Sequence, residues 1–156
     1  MIERIILVAW ATAAAGFDAR YHRLPNWLTL GGLAGGCLYA LLSGTSLLGG
    51  NLSSSLFAAV IAFLLLFPAY LAGWMGAGDV KLFTAMGMLG GSKILLPTLV
   101  VGSIVTGMMA LVFLMLEKRS VPAAAPGKRP IPYGVGLALG FAVSVLDMLP
   151  MLAWKG

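Results

Sequence analysis

Two aspartates, Asp18 and Asp79, are the residues of this sequence whose type and setting suit hydrolytic chemistry. Splitting an amide with water requires one carboxylate that takes a proton from the water and a second, protonated one that polarises or protonates the amide. Two neighbouring aspartates that share one proton supply both functions. Like-charge repulsion and partial desolvation raise one pKa of such a pair, whereas a helix N-terminus and the nearby Lys81 favour the ionised form of Asp79. The sequence leaves open which member holds the proton. Each residue also has a plain structural reading: Asp18 ends a helix beside Arg20 and Arg23, and Asp79, after Gly76, Ala77 and Gly78, reads as a helix N-cap.

Other chemistries find less support. The one histidine, His22, sits among Arg20, Tyr21 and Arg23, and the one cysteine, Cys37, lies in an apolar run. Neither belongs to a cluster with metal-ligand spacing, and no disulfide framework exists. No Ser or Cys stands in a recognisable nucleophile motif and no phosphate-binding loop occurs. Neither a metal nor a cofactor is therefore expected. Asp147 reads as an interfacial or packing residue of the last helix, remote from the other two.

The elements that must carry Asp18 and Asp79 are apolar. The chain is 60% hydrophobic and 10% charged, against about a quarter charged in soluble domains. No Lys, Arg, Asp or Glu occurs between Arg23 and Asp79, which is room for two membrane crossings of about 20 residues each. The pattern predicts an all-α polytopic membrane bundle of about six transmembrane helices, forming a single domain over 1–156. The helices are expected over 1–17, 27–48, 52–74, 79–89, 94–116 and 132–154. The fourth is short for a full span and reads as tilted, re-entrant or sharing its depth with the Gly-rich turn before it. A cleaved signal peptide is disfavoured at the N-terminus, because Arg20 and Arg23 follow the apolar stretch while Glu3 offsets Arg4 ahead of it.

Charge sets the orientation. With six crossings, Arg20, Arg23, Lys81, Lys118, Arg119, Lys128 and Arg129 fall on one side and Arg4, Lys93 and Lys155 on the other. The richer side is cytoplasmic. The N- and C-termini are then outside, and Asp18 and Asp79 emerge together at the cytoplasmic face. A charge at membrane depth costs at least about 2.5 kcal/mol, so both need a reason to be there. The net charge of +5 is read as headgroup binding at segment ends, including the basic stretch over 117–130, and nucleic-acid binding is not expected. Small residues at four-residue spacing, Gly31/Gly35, Gly32/Gly36 and Gly136/Gly140, are read as close helix packing within the bundle. Glycines 76 and 78 are expected to admit backbone close to Asp79 and to tolerate positive φ.

Three segments together resemble the type IV prepilin peptidases, a family of Gly-x-Gly-Asp membrane aspartic peptidases. Asp18 is followed by a short basic stretch and the turn Leu24-Pro25-Asn26. Gly76-Ala77-Gly78-Asp79-Val80-Lys81 is similar to the family's Gly-x-Gly-Asp-x-Lys block. Pro130, Pro132, Tyr133 and Gly134 resemble the Pro-aromatic-Gly start of its last helix. The family often continues with Pro where Val135 stands, a departure expected to touch helix geometry more than chemistry.

The resemblance implies that Asp18 and Asp79 are the catalytic pair, supported or aided in positioning substrate by Gly76, Gly78, Lys81, Arg23, Pro25, Asn26, Pro132, Tyr133 and Gly134. It further implies an enzyme of the bacterial inner membrane that removes the N-terminal leader of a prepilin or pseudopilin precursor at the cytoplasmic face. Pilus or secretion assembly machinery would then be its partners, and the lipid bilayer its solvent. Longer members carry an insertion with paired cysteines and methylate the new N-terminus. This sequence has neither feature and looks like the compact tight-adherence (Flp-pilus) members, so methyltransferase activity is not implied. Two rival readings are an intramembrane protease of the presenilin or signal-peptide-peptidase kind, and a small transporter or secretion-system subunit without catalysis.

Overall fold

The computed structural model describes residues 2–116 and 133–153. Those residues form six α-helices: α1 Ile2–Tyr21, α2 Asn26–Ser43, α3 Leu52–Leu71, α4 Ala77–Gly90, α5 Ser92–Leu116 and α6 Tyr133–Ala153. Among the described residues there is no β-sheet, only one isolated bridge between Thr45 and Asn51. A helix satisfies its own backbone hydrogen bonds, which is what long apolar runs with few polar partners require. Two of the helices, α3 and α5, are long and apolar enough to cross a membrane.

Several boundaries differ from those expected. The second helix stops at Ser43 rather than at 48, because Gly44 turns left-handed (φ 71°) and its N–H closes on the Ala40 carbonyl at 2.9 Å. The residues that follow form a compact turn in which the Ser46 hydroxyl accepts the Gly50 N–H at 2.8 Å. The first helix runs on past Phe17 to Tyr21 and ends where His22 adopts φ 51°, its N–H bonding the Asp18 carbonyl at 2.8 Å. The fourth begins at Ala77, two residues early, so its cap is Gly76.

The short fourth helix is the axis of the molecule. Val80, Leu82, Phe83 and every residue from Ala85 to Gly90 are buried, leaving almost no outward face. Helices α2 and α3 pack along it, α5 and α6 touch it, and α1 reaches the assembly chiefly through α6. Small residues make the crossings close: Gly87 lies against the Ala58 carbonyl of α3, and Gly136 and Gly140 lie against Thr106, Gly102 and Thr98 of α5. Close approach of backbones, rather than water-driven burial, is how helices associate in lipid. Trp10 joins α1 to both neighbours, donating its Nε1–H to the Leu28 carbonyl at 3.1 Å and meeting Phe141 edge-on.

The outer surface is apolar. Among the described residues Phe57 and Leu64 of α3 and Ile104, Met108 and Leu111 of α5 are all exposed, large apolar side chains of the kind that a lipid environment would cover. One expectation about small residues is corrected here. Gly32 faces Trp10 and Gly36 faces Met88 and Leu89, but Gly31 and Gly35 look onto open space. The two glycine pairs are one residue out of phase on the same helix, so only one of them can turn inward.

Candidate active site

Asp79 is held by its own turn. It is the third residue of α4, three beyond the cap Gly76, and its Oδ2 accepts the Gly76 N–H at 2.9 Å. That is the acidic half of a capping box, which satisfies a backbone donor the helix start would otherwise leave bare. Asp79 is thus not the cap itself, and it is 7% exposed. The glycines before it differ from expectation. Gly76 has φ −80° and neither Gly76 nor Gly78 is among the positive-φ residues, so the glycines there supply space rather than an unusual backbone.

Asp18 is held from the far end of the chain. It lies one residue beyond the apolar stretch that ends at Phe17, in the last turn of α1, and is 5% exposed. Its Oδ2 accepts the N–H of Val135, 117 residues away in the first turn of α6, at 3.1 Å. Burial pushes the Asp18 carboxyl pKa up, while the backbone N–H groups of Val135 and Gly134 and the nearby His22 act in the opposite direction. Val135 thus gives Asp18 a backbone donor that a proline at this position would lack.

Gly134 makes that seat possible. A Cβ there would stand 2.8 Å from Asp18 Oδ2 and 3.1 Å from Leu24 Cδ1. The same leucine also meets the other side, since a Cβ at Gly78 would stand 3.0 Å from Leu24 Cβ. One side chain thus touches the turn that carries Asp79 and the turn that seats Asp18. In the sequence the one signal for Leu24 is its place before a proline.

The remaining predicted residues gather at this end to different degrees. Pro25 is the extended cap of α2, and Asn26, its first residue, accepts a hydrogen bond from Lys81 Nζ at 3.0 Å, clipping α2 to α4. Arg23 is exposed in the turn between α1 and α2. Tyr133, half-buried, begins α6. Pro132 and the basic residues Lys118, Arg119, Lys128 and Arg129 lie outside the described residues. A mostly apolar cavity of about 260 Å³ opens between α3, α5 and α6, with Leu66, Met75, Gly107, Ala110 and Tyr133 among its lining residues. Met75 and Tyr133 each stand immediately before a site glycine, Gly76 and Gly134. Among the described residues no group of three or more His, Cys, Asp or Glu side chains is placed to hold a metal ion.

The type IV leader peptidase family matches residues 5–112, a stretch that contains both aspartates. The prepilin leader peptidase/N-methyltransferase of Aeromonas hydrophila is 31% identical over 149 residues, covering 90% of this chain and 48% of the relative. The proteins of the same name from Stutzerimonas stutzeri and Pseudomonas aeruginosa are each 29% identical over 153 residues, covering 91% of this chain and 48% of theirs. The chain spans about half the length of the curated relatives it matches. No solved structure matches.

Proposed function

The chain belongs to the type IV leader peptidase family, and from that premise we propose that it is a membrane aspartic endopeptidase that removes the leader of prepilin-like precursors. The observation that carries the proposal is the convergence of two buried carboxylates, Asp18 and Asp79, on turns that share one leucine side chain. Asp79 stands in the first turn of α4, where the helix dipole favours negative charge, and acts as base toward a water molecule. Asp18, whose burial favours the neutral form, supplies the proton. The water oxygen bonds to the amide carbon, its proton passes to Asp79, and the C–N bond breaks as the leaving nitrogen gains a proton from Asp18.

Six crossings over a single domain, 1–156, with both termini outside, put this site at the cytoplasmic border of the inner membrane. The charge asymmetry of the loops supports that orientation. An apolar segment downstream of the cut would be accommodated by the cavity beside Met75 and Tyr133. The paucity of cysteine favours the compact tight-adherence type, with Flp-like pilins as substrates and pilus assembly machinery as partner. Co-expression with a prepilin precursor tests the reading: the wild type should shorten the precursor, and Asp18→Asn and Asp79→Asn should leave it whole. A variant that inserts and still cleaves at the wild-type rate would end the assignment. A cut mapped deep within the apolar helix of the precursor would move the enzyme to the intramembrane class.

A further inference from the structure

Leu24 has no reactive group, yet its side chain meets both halves of the site. Its backbone is constrained on either side. His22 turns back at φ 51° and Pro25 holds φ −67°, and a residue before proline is confined to extended conformations. The side chain is therefore aimed between the first turns of α4 and α6. Against α4, a Cβ at Gly78 would find Leu24 Cβ at 3.0 Å, Cδ1 at 3.5 Å and Cγ at 3.7 Å, with no other neighbour nearer than these. Against α6, a Cβ at Gly134 would find Leu24 Cδ1 at 3.1 Å, next to the Asp18 carboxylate. Gly78 immediately precedes Asp79, and Gly134 immediately precedes Val135, the donor to Asp18.

We infer that Leu24 is the positioning residue of this site: its side chain is the spacer that sets the gap between the turn carrying Asp79 and the turn seating Asp18. The inference rests on the two-aspartate reading for its catalytic consequence, but the spacer itself is a matter of packing. Interiors are close-packed, so a spacer shortened to Ala lets the two turns shift or leaves a void between them. Either outcome alters the distance across which two carboxylates share one water. Misplacement by about 1 Å costs on the order of a hundredfold in rate. Methionine, of similar volume and flexible, fills the same gap.

The test uses the full chain in lipid nanodiscs and five proteins: wild type, Leu24→Ala, Leu24→Met, Gly78→Ala and the double variant Leu24→Ala/Gly78→Ala. Unfolding of wild type, Leu24→Ala, Gly78→Ala and the double variant gives a double-mutant cycle. Alanine at 24 keeps the Cβ that a methyl at 78 meets at 3.0 Å and vacates only the space of Cγ and Cδ1, so Gly78→Ala should lower the unfolding temperature in both backgrounds, and less where residue 24 is Ala and that Cβ can retreat. Additive shifts would overturn the spacer. Cleavage of a prepilin precursor gives the second readout. Leu24→Ala should lose kcat by on the order of a hundredfold with KM within roughly twofold, and Leu24→Met should recover most of it. A folded Leu24→Ala with wild-type kcat, or one that loses KM alone, would overturn the positioning role. Should the wild type cleave no precursor, the proposed function fails, and the cycle alone decides the spacer.

Discussion

The two aspartates sit in seats of opposite construction. Asp79 bonds a backbone N–H three residues before it, within a turn that any helix beginning Gly-Ala-Gly-Asp can form for itself. Asp18 bonds a backbone N–H 117 residues after it, so its seat exists only once α6 has docked on α1. A local seat survives loosening of the bundle, whereas a tertiary one registers it. The Asp79 bond lies within one turn, whereas the Asp18 bond spans most of the chain, so docking of the last helix is what completes the Asp18 seat.

The sharpest test removes each charge in turn. Asp18→Asn and Asp79→Asn should both lose cleavage by about two to four orders of magnitude, the range for a positioned acid or base. Their stabilities should part. Asp79→Asn gives up a favourable charge at a helix N-terminus, worth about 0.3–1 kcal/mol. Asp18→Asn removes a carboxyl whose folded pKa lies above its ordinary value of 3.8. Between 3.8 and the folded value, the folded chain binds a proton that the unfolded chain has released. Wild-type stability therefore falls as pH rises through that window and stays at the lower level above it. Unfolding measured in nanodiscs from pH 4 to 8 should show this decline in the wild type and in Asp79→Asn, and its absence in Asp18→Asn. Equal pH slopes in all three would erase the contrast between the seats.

Next in size is Gly134→Ala, which drives a methyl group against Asp18 Oδ2 and Leu24 Cδ1. Overpacking of this kind costs about 1–3 kcal/mol, and here it falls on the tertiary seat and on the leucine that also meets the α4 turn. Stability should drop and, under the proposed two-aspartate mechanism, cleavage should drop further than stability explains, because the displaced oxygen belongs to the proposed proton donor.

Val135→Pro is subtler. The first turn of a helix tolerates proline, but the substitution removes the N–H that Asp18 Oδ2 accepts. That N–H acts against the burial which raises the Asp18 pKa, so its loss raises it further. The alkaline limb of the pH–rate profile, if set by a proton on Asp18, should move to higher pH. An unmoved limb would assign that limb to another group.

How much of this was legible in advance follows from the same contrast. The apolar runs announced the helices, and the Gly-Ala-Gly-Asp turn announced a helix start to within two residues, at Asp79 where the structure has Ala77, because both rest on neighbours in sequence. The early end of α2 at Gly44 was hidden by a further apolar stretch, Leu47 and Leu48, which periodicity alone joins to the helix. The open faces of Gly31 and Gly35 needed knowledge of which side of α2 turns inward. The bond from Val135 to Asp18, and the wedge of Leu24 between two glycines, are contacts between residues distant in the chain. No spacing rule reaches them. Resemblance to a family pointed to Asp18, Asp79 and Gly134, but it treated Val135 as a matter of helix geometry, because a motif records residue types and not the backbone donor that Val135 gives to Asp18.

The smallest predicted effect concerns the clip that ties the two kinds of region together. Lys81 Nζ donates to Asn26 Oδ1 at 3.0 Å in an exposed position, joining the start of α2, next to the Leu24 turn, to α4. A net hydrogen bond contributes about 0.5–1.5 kcal/mol, and exposure to water puts this one at the low end. A lysine near a helix N-terminus also works against the dipole, which offsets part of that. Lys81→Met should therefore change stability by about 0.5 kcal/mol or less, too little to explain any large kinetic change. If cleavage falls only in step with stability, the clip is a structural tie and the catalytic load rests on the aspartates. A loss of tenfold or more in kcat, with KM and unfolding unchanged, would mean that the ammonium group itself acts on Asp79 or on the scissile amide, and the local seat would then be less self-sufficient than its turn implies.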